Sequence, residues 1–287
     1  MKSFYLSEIT TKDGLLHQGI FLKPQKPGKK ALLWIHGLSG RFYGDVKMME
    51  ELAVACEEKG FGLASFNNRG HDMVASAHRG DEYVTIGAGN EKFQDCVLDI
   101  QAQILFLNEQ GFSEVVLAGS STGANKVCFY AATQNDPHVA GIILAGPISD
   151  RYSSGYAPEM YKKYKAFMQK EIDEGRGDEL KVGYDFLPLT PNRWMSMYSE
   201  GTAEDVFNYY DGQAALKQFS KITKPLMVMI GKNDEHADGK VQEIQKLFDS
   251  HTKSKKYKSV VIPAANHGFD GKEKEVVEAV VSWVQTI

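Results

Sequence analysis

The sequence predicts an α/β fold, in which a doubly wound, mostly parallel sheet of eight strands carries helices on both faces. Two observations predict the sheet. Short apolar runs such as residues 31–35 are typical of strands that are buried on both faces. These runs alternate with stretches whose apolar residues recur every three or four positions, as in amphipathic helices. A third observation predicts a helical cap after the sixth strand, because the alternation stops over residues 150–219.

The first half of the chain contains six predicted strands. Residues 3–9 and 15–22 form a hairpin around the turn residues Lys12, Asp13 and Gly14. The third strand, 31–35, ends at His36 and Gly37. The elements that follow are a helix over 46–59, a strand over 61–66, a helix over 91–110, a strand over 115–118, a helix over 124–133 and a strand over 139–145.

The segment over residues 150–219 is predicted to be the cap, and residues 1–149 and 220–287 the α/β core. It contains helix-like pieces, the longest from near Pro158 to Glu174, and many of the chain's 13 tyrosines. The strand–helix alternation then resumes with strands over 226–230 and 259–262 and with helices over 241–248 and 277–284.

Composition excludes several classes of function. The net charge of -4 and the pI of about 6.1 argue against nucleic-acid binding and against a polybasic membrane patch. We find neither a signal peptide nor an apolar run long enough to span a membrane. The three cysteines, Cys56, Cys96 and Cys128, are predicted to be buried thiols of a cytoplasmic protein, and no pair has metal-ligand spacing. The sequence is equally compatible with a monomer and a homo-oligomer.

One motif indicates a catalytic site. It is the G-x-S-x-G pattern Gly119-Ser120-Ser121-Thr122-Gly123, which lies between a predicted strand and a predicted helix. A sharp strand-to-helix turn needs small residues on both sides, and it exposes the central hydroxyl at the helix N-terminus. Ser121 is therefore predicted to be a nucleophile, and the Thr122 N–H an oxyanion donor.

A serine nucleophile requires a base, and the base requires an orienting carboxylate. His267 follows the last predicted strand and is the predicted base, with His236 as its main rival. Asp234 follows the preceding strand and is the predicted acid, with Glu235 and Asp238 as competitors. The remaining histidines are interpreted as surface, turn or loop-supporting residues: His17, His36, His71, His78, His138 and His251.

Taken together, the motifs resemble those of the α/β-hydrolase superfamily over most of the chain outside the insertion. The matching pieces are His36-Gly37, the Gly119 to Gly123 turn, Asp234 and Asn266-His267-Gly268. The resemblance implies a Ser-Asp-His order along the chain, a capping insertion and a second oxyanion donor at the N–H of Leu38. The stretch after the third strand reads His-Gly-Leu-Ser-Gly, which departs from the His-Gly-Gly-Gly form of many lipases and esterases.

The expected function is cleavage of a small or medium, apolar or aromatic carboxylic ester through an acyl-enzyme, with a small-molecule substrate and no metal or organic cofactor. The stretch from Asn67 to Asp72 is similar to a loop in a branch that includes fungal siderophore-ester hydrolases. In the cap, Trp194, Met195 and Tyr198 are predicted to line the substrate pocket. Amide, thioester and carbon–carbon bond hydrolysis remain alternatives, as does a hydrolase-derived binding protein with slow turnover.

Overall fold

The computed structural model describes residues 3–211 and 216–287, so residues 1–2 of the predicted core and 212–215 of the predicted cap lie outside it. An eight-stranded sheet with the order β1-β2-β4-β3-β7-β8-β9-β10 forms its centre. The strands are β1 (Tyr5–Thr10), β2 (Leu16–Leu22), β3 (Lys30–Ile35), β4 (Gly62–Phe66), β5 (Ala75–Arg79), β6 (Glu82–Ile86), β7 (Glu114–Ser120), β8 (Val139–Ala145), β9 (Leu226–Gly231) and β10 (Tyr257–Ile262). β2 pairs antiparallel with β1 and β4, and the other pairings in this sheet are parallel.

Helices cover both faces of the sheet, as the sequence predicts. They are α1 (Val46–Lys59), α2 (Cys96–Glu109), α3 (Thr122–Thr133), α4 (Asp150–Ser153), α5 (Pro158–Asp173), α6 (Pro191–Tyr198), α7 (Val241–His251) and α8 (Glu273–Val284). On one face, α1 and α8 bury side chains such as Leu52 and Val280. On the other face, α2, α3 and α7 bury side chains such as Ile104, Val127 and Phe248. The predicted doubly wound, mostly parallel fold is confirmed.

Helix α1 shows how local sequence sets the ends of an element. The Asp45 carboxylate accepts a hydrogen bond from the Met48 N–H at 3.0 Å, which satisfies a backbone donor of the first turn. At the other end, Gly60 adopts a left-handed conformation with φ of 71°, which costs glycine little. Helix α1 therefore begins and ends where its sequence predicts.

The small hairpin of β5 and β6 is not predicted by the sequence. These strands form a separate two-stranded sheet, and an isolated bridge joins Arg79 of β5 to Leu15. Most of their residues are half-buried or exposed, and those of β5 are small or polar, so neither strand shows the buried apolar run that predicts the inner strands of the main sheet. The hairpin folds back into the body at its end, where Ile86 is buried.

The segment between β8 and β9 carries α4, α5 and α6. Its buried side chains, among them Met168, Leu189 and Trp194, pack with Ala88 from the loop after β6. A buried ion network joins the same two regions, because Arg193 of α6 pairs with Glu91 of that loop at 3.0 Å and also with Glu204. Glu91 in turn pairs with Lys126 of α3 at 2.6 Å. Buried charges that lose a partner cost several kcal/mol, so this network holds α6 against the body.

Candidate active site

Ser121 lies at the turn from β7 to α3, with φ of 56° and ψ of -128°. The turn is sterically dependent on both flanking glycines. A Cβ added to Gly119 would lie 2.3 Å from the carbonyl oxygen of Gly123, and one added to Gly123 would lie 2.3 Å from the carbonyl oxygen of Ile35. These contacts are with backbone, which cannot move aside easily. The strained turn thus holds the Ser121 hydroxyl at the carboxyl edge of the sheet.

The structure brings Ser121, His267 and Asp234 together in one hydrogen-bonded chain. The Nε2 atom of His267 lies 2.9 Å from the Oγ of Ser121, and its Nδ1 atom lies 3.0 Å from Oδ2 of Asp234. Asp234 is 5% exposed and also accepts a hydrogen bond from the backbone N–H of His236 at 2.9 Å. A buried carboxylate beside Nδ1 favours the tautomer whose Nδ1–H donates to it, which leaves Nε2 free to accept the serine proton.

The rival side chains occupy other positions around His267. The ring of His236 packs edge-on against the His267 ring, with centroids 4.5 Å apart. The Glu235 carboxylate accepts a hydrogen bond from the backbone N–H of His267 at 2.9 Å, so it holds the loop rather than the ring. Asp238 is exposed and pairs with Lys240 at 3.0 Å. The geometry therefore favours Asp234 and His267 over the alternatives that the sequence leaves open.

His36 fixes the backbone beside the nucleophile. Its Nδ1 atom lies 2.9 Å from the carbonyl oxygen of Gly37, and its Nε2 atom accepts the N–H of Asn68 at 3.2 Å. Burial lowers the pKa of His36 to about 3, so the ring is neutral and Nδ1 carries the donated proton. Gly40 also donates its N–H to the Gly37 carbonyl at 3.1 Å. Because a trans peptide directs its C=O and N–H oppositely, these bonds fix the direction of the Leu38 N–H.

Both predicted oxyanion donors belong to residues that line the cavity next to Ser121, namely Leu38 and Thr122. Thr122 is the first residue of α3, so its N–H has no acceptor within the helix. The turn that carries Leu38 approaches the nucleophile closely, since a Cβ on Gly37 would lie 2.9 Å from the Cβ of Ser121.

The cavity has a volume of about 520 Å³ and lies between the sheet edge and the cap. Of the three cap residues predicted to line it, the structure places only Tyr198 there. Trp194 is fully buried behind Tyr198, with ring centroids 5.2 Å apart, and belongs to the interior of the cap. Met195 lines a separate hollow of about 580 Å³ beside Asn192 and Thr202. The rotation of about 100° per helical residue directs Met195 to a different side of α6 from Trp194. Trp194 lies one turn before Tyr198 on the same side and is fully buried.

Besides Leu38, Ser121, Thr122 and Tyr198, the cavity is lined by further residues, several of them tyrosines of the cap. They are Ile148, Asp150, Ser153, Ser154, Tyr156, Met160, Tyr164, Gly183, Tyr184, Asp185, Phe186, Met197 and His236. The concentration of tyrosine in the cap was the available signal, but it does not separate ring faces that line a cavity from rings that pack the cap. Among the described residues, no cluster of three or more His, Cys, Asp or Glu side chains is arranged to hold a metal ion. Within the same described ranges, no helix has the length and apolar character needed to cross a bilayer.

Comparison with known proteins supports the fold. Residues 10–286 match the family described as "Protein of unknown function (DUF1749)". The siderophore hydrolase EstB from Aspergillus fumigatus is 15% identical, with a TM-score of 0.70 over 99% of this chain and 98% of that one. Est1E from Butyrivibrio proteoclasticus, in a structure with bound ferulic acid, is 19% identical, with a TM-score of 0.66 over 98% of both chains.

A third solved structure extends the similarity to another organism. The Pyrococcus furiosus esterase Pf2001 is 16% identical, with a TM-score of 0.61 over 99% of this chain and 91% of that chain. Among curated proteins, none matches this chain. At these identities the similarity concerns the fold, and the α/β-hydrolase fold that the motifs imply is confirmed.

Proposed function

We propose that this chain, which belongs to the DUF1749 family, is a serine hydrolase that cleaves carboxylic esters through an acyl-enzyme. The observation that carries the proposal is the hydrogen-bonded chain from Ser121 through His267 to Asp234, which ends at a cavity. A buried carboxylate, an oriented imidazole and a strained serine at a helix N-terminus are the parts that activate a hydroxyl for attack on a carbonyl carbon. The esterases and the siderophore hydrolase of similar fold support the same reaction class.

In the first half of the reaction, the Oγ of Ser121 attacks the ester carbonyl carbon while its proton moves to Nε2 of His267. The carbonyl electron pair moves onto oxygen and forms a tetrahedral oxyanion. Asp234 stabilises the imidazolium that results. The imidazolium then gives its proton to the leaving alcohol oxygen as the ester C–O bond breaks, which leaves an acyl group on Ser121.

In the second half, water attacks the acyl carbon and His267 takes one of its protons. Collapse of the second tetrahedral species breaks the bond from the acyl carbon to Oγ, and the proton on Nε2 returns to Oγ of Ser121. The carboxylic acid leaves and the free enzyme is restored, so one ester and one water give one acid and one alcohol.

The backbone N–H groups of Leu38 and Thr122 are proposed to hold the oxyanion in both halves. Donors of this kind are fixed before the reaction begins, so they stabilise developing charge without reorganisation. Each is worth about 3 kcal/mol of barrier in enzymes where one has been removed. The contacts of His36 with Gly37 and Asn68 keep the Leu38 donor in place.

The test is hydrolysis of 4-nitrophenyl butyrate by the wild type, Ser121→Ala and Ser120→Ala. Ser120 is the matched control, because it is the adjacent serine and lines a different hollow beside His36. The proposal predicts that activity disappears in Ser121→Ala and persists in Ser120→Ala. Turnover that survives in a folded Ser121→Ala protein would exclude this nucleophile. A wild type that binds esters stoichiometrically without turnover would instead support the binding-protein alternative.

A further inference from the structure

The cap side of the active-site cavity is aromatic and acidic. Four tyrosine rings and two carboxyl groups line it, and we call this set the tyrosine–aspartate wall: Asp150, Tyr156, Tyr164, Tyr184, Asp185 and Tyr198. The rings meet edge to face, with centroids 5.7 Å apart for Tyr156 and Tyr164 and 5.3 Å apart for Tyr156 and Tyr198. Tyr164 and Tyr184 meet in the same way at 5.2 Å. The rings therefore form a connected aromatic surface.

No lysine or arginine is among the described residues that line this cavity. His236 is the one basic side chain of that lining, and burial together with the neighbouring His267 lowers its pKa, which opposes a positive charge there. Asp185 accepts hydrogen bonds from the Tyr156 hydroxyl and from the backbone N–H of Phe186. The carboxyl groups of the wall therefore have no lysine or arginine partner among the described residues that line the cavity.

Asp150 shows this most clearly. It is 8% exposed, and its Oδ2 accepts a hydrogen bond from Nδ2 of Asn125 at 3.3 Å. Arg193, whose charge acts on Asp150, is already paired with Glu91 and Glu204. Burial and the negative charge of Glu204 raise the pKa of Asp150 to about 8, against the opposing effect of Arg193. Among the described residues that line the cavity, no lysine or arginine pairs with this carboxyl group.

A second observation also indicates a polar ligand. Thr122 lines the cavity next to Ser121 and is 3% exposed. Its hydroxyl oxygen is buried and has no hydrogen-bond partner among the described residues. Buried hydroxyl groups are normally paired, so this unpaired hydroxyl beside Ser121 fits a hydrogen-bonding group of a bound molecule.

We propose that the substrate is an ester that carries an organic ammonium group, which binds in the tyrosine–aspartate wall while its carbonyl group lies at Ser121. The inference rests on the proposed serine-hydrolase function and deepens it. Aromatic ring faces attract cations, and quaternary or protonated amines are the cations that aromatic surfaces of this kind recognise. The carboxylate of Asp185 supplies the opposite charge, and Asp150 adds to it once its carboxyl group is ionised. The apolar or aromatic substrate expected from the sequence is thereby replaced by an amphipathic cationic one.

The test compares esters that differ only in charge. Butyrylcholine and 3,3-dimethylbutyl butyrate place a quaternary nitrogen or a carbon in the alcohol part. Ethyl 4-(trimethylammonio)butyrate and ethyl 5,5-dimethylhexanoate do the same in the acyl part. We expect kcat/KM to be at least about tenfold higher for the charged member of one pair, which corresponds to a single favourable charge contact. The pair that shows the preference identifies which part of the ester carries the ammonium group.

The protonation of His267 affects both substrates of a pair equally, so its effect cancels in the ratio of their two kcat/KM values. The ratio should rise as the pH increases through about 8, since Asp150 gains its negative charge there. Measured above pH 8, where Asp150 is ionised, Asp150→Asn and Asp185→Asn should each move the ratio towards one. General damage to the site would instead lower both values and leave the ratio unchanged. Asp173→Asn, at the exposed end of α5, is the control in which the ratio persists.

The possible outcomes distinguish a failure of the ammonium inference from a failure of the proposed serine-hydrolase function. If neither pair shows a preference for the charged ester while 4-nitrophenyl butyrate is hydrolysed through Ser121, the ammonium inference is wrong and the serine-hydrolase proposal stands. A preference that both aspartate variants retain would also overturn the assignment to the wall. If no ester is hydrolysed and Ser121 does not react, the proposed function itself fails, and the inference fails with it.

Discussion

The body and the cap contribute to the cavity in different ways. On the body side, each proposed catalytic side chain follows a strand and is fixed by backbone contacts, as with Ser121 between two glycines that tolerate no Cβ. On the cap side, the wall is made of side chains from α4, α5, α6 and the loops that join them, and its shape depends on how the helices pack. We infer from this difference that the backbone of the body positions the proposed catalytic groups. The packing of the cap helices determines which substrates fit the cavity.

The largest loss of activity is expected when Asp234, the proposed acid on the body side, is replaced. Asp234→Asn keeps the size of the side chain but removes the charge beside Nδ1 of His267. On the proposed mechanism kcat should fall about 10⁴-fold, as in a serine protease that loses this charge. Asp238→Asn is the matched control, because Asp238 lies in the same loop and is exposed. Steady-state kinetics with 4-nitrophenyl butyrate gives both values. Equal losses in the two variants would show that the loop, not the carboxylate of Asp234, matters.

A smaller effect is expected in the cap interior. Trp194 is fully buried, so Trp194→Leu removes packing and should lower the free energy of unfolding by roughly 2–4 kcal/mol. The relative kcat/KM for different esters should stay the same, since Trp194 does not line the cavity. Urea unfolding and a substrate panel measure the two properties. A changed order of substrates with unchanged stability would restore Trp194 as a pocket residue.

The smallest effect is the pH dependence of stability that His36 causes. His36 holds the turn at Gly37 and Leu38 against the body through its contacts with Gly37 and Asn68. Its pKa is about 3 in the folded protein and near 6.5 when unfolded, so the unfolded chain binds an additional proton between these values. Stability should therefore fall as the pH decreases below 6.5, by about 2 kcal/mol at pH 5. In His36→Asn, which has no ionisable group at this position, this part of the pH dependence should be absent. An unchanged slope between pH 7 and pH 5 would mean that His36 is protonated in the folded protein.

The sequence predicts the sheet and the proposed catalytic residues because both leave short, strict patterns. Strands buried on both faces require continuous apolar runs, and the turn at Ser121 requires glycine on either side. The hairpin of β5 and β6 leaves no such pattern, because neither of its faces is packed in a core. The carboxyl group of Asp150 leaves none either, since an aspartate at a helix start is ordinary until its surroundings are known.

The prediction of the cavity wall fails for a related reason. Among the three cap residues chosen from the sequence, only Tyr198 lines the cavity, although Trp194 and Met195 lie on the same helix. Helix α6 has packed neighbours on more than one side, and the sequence does not state which side faces Ser121. The buried pairing of Arg193 with Glu91 and Glu204 fixes that orientation, and it joins residues distant in sequence.

The central claim is that Ser121 is the nucleophile. Its most direct test is labelling of the folded protein with a fluorophosphonate, followed by digestion and mass spectrometry of the modified peptide. The account predicts one equivalent of label, attached to Ser121, together with loss of ester hydrolysis in proportion to labelling. Label on another residue, or full activity after Ser121 is modified, would contradict it.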